Sequence, residues 1–186
     1  MTEFKVYSLE DAPEDSKPIL KGVNEKFGFV PNLVGMLAES PAALKGYMDL
    51  AGAVGTSSLN ETEQQIVLMT ASFENGCTYC MAAHSTISNM SGVPEDVVVA
   101  LRQGTQIADA KLNALASFTR SVVRDRGLVV DAAVNDFIAA GYSREAVLDV
   151  VLGIAQKTIS NYANHIAHTP VDEAFTPQAW EKPATV

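Results

Sequence analysis

Cationic side chains are in short supply here: 13 Lys and Arg stand against 22 Asp and Glu, giving a formal charge of −9 and a pI near 4.7. A surface of that sign repels phosphate backbones and anionic bilayers, so nucleic-acid binding and electrostatic membrane attachment are disfavoured. Long apolar runs are missing too. The best candidate, residues 146–155, is broken by Asp149 and falls short of the roughly 20 residues a membrane span needs. Residues 1–17 are acidic and lack the apolar stretch of a secretory signal, which points to a cytoplasmic protein. Cysteine is scarce, with only two. In a reducing cytoplasm, a Cys-x-x-Cys pair suits catalysis or metal binding better than a structural staple.

What remains is 47% hydrophobic and 19% charged, a globular composition in a chain long enough to bury one core. No alternating strand longer than a few residues is found, and helical periodicity dominates. The expected fold class is all-α, a single compact domain of about eight helices spanning 16–175. An N-terminal arm (1–15) precedes it and a C-terminal tail (176–186), packed by Trp180, follows. The clearest helix start is Asn60, with Glu63 three residues on, the pattern of a capping box. Gly76 suits the left-handed terminator of that helix, so the next begins near Cys77 and runs to about Met90. A last helix over 143–168 has a wide apolar face, which fits either an oligomer interface or burial at the centre.

The chemistry concentrates in Cys77-Thr78-Tyr79-Cys80-Met81-Ala82-Ala83-His84. Spacings of three, four and seven put Cys77, Cys80 and His84 along one side of a helix that starts near Cys77. A thiol attacks as thiolate, and a free cysteine needs help to ionise at neutral pH. The helix N-terminus supplies positive potential, and His84 is placed to take the thiol proton or to pair with the thiolate as imidazolium. The second sulfur then closes a disulfide, either on a sulfenic acid or on a mixed disulfide. Two other readings stand beside this one. Buried cysteines are often plain apolar filler. Two thiolates and an imidazole also resemble part of a zinc site, although three ligands within two turns of one helix is an unusual arrangement. Glu74 lies near Cys77, but a solvated carboxylate at a helix end is the preferred role for it. His165 and Tyr79 are candidates for the wall of the site; a dipole-complementing His and a packed aromatic are the plainer alternatives.

The run Leu59 to Val67, then Glu74-Asn75-Gly76-Cys77-Thr78-Tyr79-Cys80 and Ala83-His84, resembles the carboxymuconolactone decarboxylase superfamily, in its alkyl hydroperoxidase D-like, peroxidase-related branch. Phe29-Val30-Pro31-Asn32, Asn161 to His165 and Thr169 to Asp172 extend the similarity over most of the chain. The resemblance implies an all-α fold assembled as trimers or hexamers, with peroxidase or disulfide reductase activity. It implies Cys80 as the attacking thiol, Cys77 as the resolving one and His84 as proton acceptor and donor. No bound cofactor or metal is implied. The expected partners are a hydroperoxide or disulfide substrate and a dihydrolipoyl- or thioredoxin-type reductant. The founding enzymes place a glutamate twelve residues before the first cysteine; here that position is Gln65, which cannot ionise. Glu63 or Glu74 then substitutes in the proton relay, or Gln65 orients a water, or the activity differs. A non-catalytic, oligomeric redox-sensing or binding module is the alternative of a different class.

Overall fold

The expected capping box forms: Glu63 N donates to Asn60 Oδ1 and Asn60 N donates to Glu63 Oε2, both at 3.0 Å. It opens α4 (Glu61–Asn75), which ends at Gly76 with φ 69°, a conformation that costs a residue without Cβ little. The computed structural model describes residues 4–184 and is all-helical, with no strand among them. Before α4 come α1 (Lys17–Phe27), α2 (Asn32–Leu37) and α3 (Pro41–Gly55). After it come α5 (Thr78–Met90), α6 (Glu95–Gln103), α7 (Ala110–Arg124), α8 (Asp131–Ala139) and α9 (Arg144–Ala167). A short 3-10 helix, Glu173–Gln178, completes the order.

Two apolar clusters flank the central α4–α5 pair. One joins α4 to α6, α7 and α8, with Ile66, Met69, Leu115 and Val150 inside. The rings of Phe118, Phe137 and Tyr142 stack there at 4.5 and 4.4 Å between centroids. The other gathers Leu20, Leu33, Leu37, Leu44 and Phe175 around Cys77, Tyr79 and Cys80. The N-terminal arm is tied to α2 by Tyr7 N donating to Gly35 O at 3.1 Å and by Tyr7 Oη donating to Glu39 at 2.8 Å. At the other end Trp180 is buried against Phe73 and donates to Arg102 O, while the Arg102 guanidinium holds the carbonyls of Gln178 and Ala179.

Helix α9 departs from the simple amphipathic pattern. The buried side of its C-terminal half is polar: Gln156, Lys157, Ser160, Asn161 and Asn164. Leu148 (69% exposed), Val151, Tyr162 and Ile166 point outward. The apolar face read from the sequence is therefore partly the outer face, and the inner face carries polar groups that require partners inside the fold. Among the described residues, no helix is long and apolar enough to cross a membrane.

Candidate functional site

Local sequence sets the first positions. Gly76 turns the chain so that Cys77 N donates to Ser72 O at 3.0 Å, closing α4, while Cys77 itself becomes the N-cap of α5 with extended backbone. Cys80 therefore sits in the first turn, where unpaired amides and the helix dipole favour an anion. The two thiols are free, each is 1% exposed, and the Asn164 side chain bridges them: Nδ2 lies 3.3 Å from Cys80 Sγ and 3.8 Å from Cys77 Sγ. Both sulfurs face α9, on the same side of α5. Ser160 Oγ adds a third contact, 3.7 Å from Cys80 Sγ.

His84 is buried one turn beyond Cys80 and is held from both ring nitrogens. Lys157 Nζ donates to Nε2 at 2.9 Å, and Nδ1 lies 2.9 Å from Gln65 Oε1. An ammonium has only donors, so Nε2 is the acceptor and the ring proton sits on Nδ1, donated to Gln65. Burial, and then the Lys157 charge, hold the His84 pKa well below 6.5. The imidazole is thus neutral. Of the two roles considered for it, that of an imidazolium paired with a thiolate is not the one this environment favours.

Lys157 is the residue that sequence reasoning missed. Its side chain is fully buried, and no carboxylate among the described residues pairs with it. An isolated buried ammonium is costly, so it needs an anion. Tyr47 stays a neutral phenol, because burial raises its pKa. That leaves Cys80. Burial pushes the Cys80 thiol up, but a hydrogen bond from the Cys77 thiol, the Lys157 charge and the Ser160 contact together take it well below 9.0. Lys157 in turn is held above 10.5: burial lowers it, and the facing Cys80 anion more than offsets that. Cys77 moves the opposite way, upward, because it donates to Cys80 and is buried. The two thiols are thus driven in opposite directions, Cys80 toward the anion and Cys77 toward the protonated form.

The other expected site residues divide into two groups. Tyr79 and His165 line a cleft of about 380 Å³ that reaches Cys77, together with Thr78, Asn164, His168 and Thr169. Tyr79 also anchors the floor, its hydroxyl donating to Asp172 Oδ2 at 2.6 Å and accepting from Leu33 N at 3.1 Å. Glu63 and Glu74 are committed elsewhere. Glu63 belongs to the capping box and to an ion pair with Lys111 at 3.3 Å. Glu74, expected to be a solvated carboxylate, has a buried side chain clamped by Arg120 at 2.9 Å and Arg124 at 2.7 Å. Neither touches His84 or a sulfur; of the three relay candidates, only Gln65 does so, through His84. Among the described residues, no group of three His, Cys, Asp or Glu is arranged to hold a metal ion.

A signal for Lys157 was present in the sequence. Gln156, Lys157, Ser160, Asn161 and Asn164 form a polar stripe at spacings of three and four along α9, with no acid one turn from the lysine. A lysine so placed has no local counter-ion and is positioned to face another part of the fold.

The model of the carboxymuconolactone decarboxylase family matches residues 41–120, a span that includes Cys77, Cys80 and His84, so the resemblance read from the motif is borne out there. No curated protein matches the chain. Among solved structures, an uncharacterized peroxidase-related protein with an alkylhydroperoxidase AhpD core, from Ralstonia eutropha JMP134, superposes with a TM-score of 0.81 at 22% identity, covering 93% of each chain. A peroxidase-related protein from Silicibacter sp. TM1040 gives 0.79 at 18%, covering 94% of this chain and 92% of the other. The debrominase Bmp8, solved with 2,3,4-tribromopyrrole, gives 0.79 at 19%, covering 96% of each. The fold is therefore the AhpD-like helical fold, and proteins that share it are described by more than one activity.

Proposed function

We propose that this protein is a thiol-dependent oxidoreductase that reduces a hydroperoxide or a disulfide through Cys80, with Cys77 as resolving thiol. The observation that carries the reading is the fully buried Lys157, for which the Cys80 thiolate is the one available counter-ion among the described residues. Fold alone does not select the substrate, since peroxidase-related proteins and a debrominase share it.

In the peroxide reaction, the Cys80 thiolate attacks one oxygen and the O–O bond breaks. Sulfur is oxidised to a sulfenic acid, and the departing alkoxide takes a proton from the Lys157 ammonium, which His84 Nε2 orients. Cys77 then attacks the oxidised sulfur; an S–S bond forms, and the Cys77 proton leaves with the hydroxyl as water. An external dithiol of dihydrolipoyl or thioredoxin type reduces the disulfide, restoring the Cys80 thiolate and reprotonating Lys157. Gln65 takes no part in proton transfer and fixes the imidazole tautomer. With an ammonium at Nε2, the relay needs no carboxylate at position 65. The outward apolar residues of α9 support a homo-oligomer.

Consumption of an organic hydroperoxide with excess dithiol tests the reading. Wild type is expected to turn over, Cys80→Ser to be inactive, and Cys77→Ser to stop after one equivalent with a sulfenic acid on Cys80. Equal consumption by wild type and Cys80→Ser refutes it.

A further inference from the structure

Oxidation of Cys80 changes the chemistry of Lys157. The reduced site holds an ion pair, and conversion of the thiolate to a sulfenic acid removes its negative member. The departing alkoxide takes the Lys157 proton in the same step, which leaves a neutral amine beside a neutral, electrophilic sulfur. Burial lowers the Lys157 pKa, and the Cys80 anion that more than offset this is now gone. Among the described residues no carboxylate pairs with Lys157 to favour its recharging. His84 Nε2, an acceptor 2.9 Å from Nζ, takes one N–H of the amine and leaves its lone pair free.

The packing of α5 against α9 puts the two groups in one space. Asn164 and Ser160 reach Cys80 Sγ at 3.3 and 3.7 Å. Lys157, three residues before Ser160, reaches the ring of His84, four residues after Cys80. The chain order thus runs oppositely on the two helices, and the long Lys157 side chain enters the interface within hydrogen-bond reach of Cys80. Both side chains are closed to solvent, so a sulfenic acid here is shielded from bulk water and from a second peroxide. A nucleophile already held in place reacts as an intramolecular partner. Sulfenic acids condense even with a backbone nitrogen, and a neutral alkyl amine is the better nucleophile.

We propose that Lys157 is a second trap for the oxidised sulfur, its amine condensing with the Cys80 sulfenic acid to give a Cys80–Lys157 sulfenamide. The inference rests on the redox reading of Cys80. The nitrogen lone pair forms an S–N bond, the S–O bond breaks, and the hydroxyl leaves with one amine proton as water. The oxidation level of sulfur is unchanged, so no further oxidant is consumed. A dithiol reverses the step: its thiolate attacks Cys80 Sγ, the S–N bond breaks and the nitrogen takes up a proton. The second thiol of the reductant then frees Cys80 and leaves as a cyclic disulfide. The link serves when Cys77 is already bonded to another thiol, and it keeps Cys80 below the irreversible sulfinic level.

Cys77→Ser isolates the reaction by removing the competing sulfur. One equivalent of cumene hydroperoxide is added without dithiol, and the products are followed by intact mass, dimedone labelling and tryptic digestion. The sulfenic acid of this variant first adds one oxygen; condensation then takes the mass to two hydrogens below the reduced protein. Dimedone reactivity is expected to decay over the same interval. Trypsin should no longer cut after Lys157, whose peptide stays joined to that of Cys80, and dithiothreitol should restore the reduced mass. Two double variants, adding Lys157→Met or Lys157→Arg, remove the nucleophilic amine, the second while keeping a buried charge beside the sulfur. Over a longer exposure both should stall at one added oxygen, and excess peroxide should give several-fold more sulfinic acid than in Cys77→Ser. A Cys77→Ser protein that keeps the added oxygen, or that loses two hydrogens while trypsin still cuts after Lys157, overturns the sulfenamide. A Cys80 that neither gains oxygen nor forms a link in any of these proteins overturns the redox reading itself.

Discussion

Replacing Lys157 with Met removes the one buried positive charge that faces Cys80 among the described residues and keeps much of the length of the side chain. An opposite charge within about 4–6 Å lowers an acid's pKa by about 1–3 units, and burial at this site leaves little water to screen it. Taking about 2 units, the thiolate loses about 2.7 kcal/mol of support. At a pH below both pKa values the thiolate fraction falls about 100-fold, and less as pH rises between them. The more basic thiolate is intrinsically more nucleophilic by roughly eightfold at a Brønsted slope near 0.45, so the alkylation rate falls by about tenfold net. The assay is iodoacetamide modification across pH, with Cys80 resolved from Cys77 by peptide mass spectrometry. The midpoint of the Cys80 rate profile should move up by about 2 units in the variant. A purely structural role for Lys157 scales the rate at every pH without moving the midpoint. A midpoint that stays in place refutes the pairing of Lys157 with Cys80.

Two further outcomes follow from the same geometry. The folded pKa of His84 lies well below the free value of 6.5. The unfolded chain therefore takes up a proton below pH 6.5 that the native state refuses, and this contribution to stability, present above 6.5, is lost as pH falls through the window beneath it; urea midpoints should decline in that window, and His84→Gln should remove this component of the slope, whereas an unchanged slope contradicts a neutral buried imidazole. Tyr79→Phe keeps the aromatic contact with Phe175 but strands Leu33 N and Asp172 Oδ2, so urea unfolding should show a loss of about 1–3 kcal/mol, and an unaltered midpoint would mean that the latch between α5 and α2 contributes nothing.

The sequence alone determined whatever depends on neighbours along the chain. The box at Asn60 and Glu63, the left-handed turn at Gly76 and the consequent start of α5 are local backbone chemistry, and each appears where its residues place it. Helical spacing likewise settled that Cys77, Cys80 and His84 share one side. What sequence spacing could not settle was the company those side chains keep. Glu63 and Glu74 are close to the cysteines in sequence, yet Lys111 and two arginines of α7 claim them. Lys157 and Asn164 are 73 and 87 residues away in the chain from their partners His84 and Cys77, and only the packing of α9 against α5 brings them to the ring and the sulfurs. Ionisation is a property of that tertiary neighbourhood. A thiol, an imidazole and an ammonium share out their protons according to burial and to which charge faces which, and neither quantity exists until the helices pack.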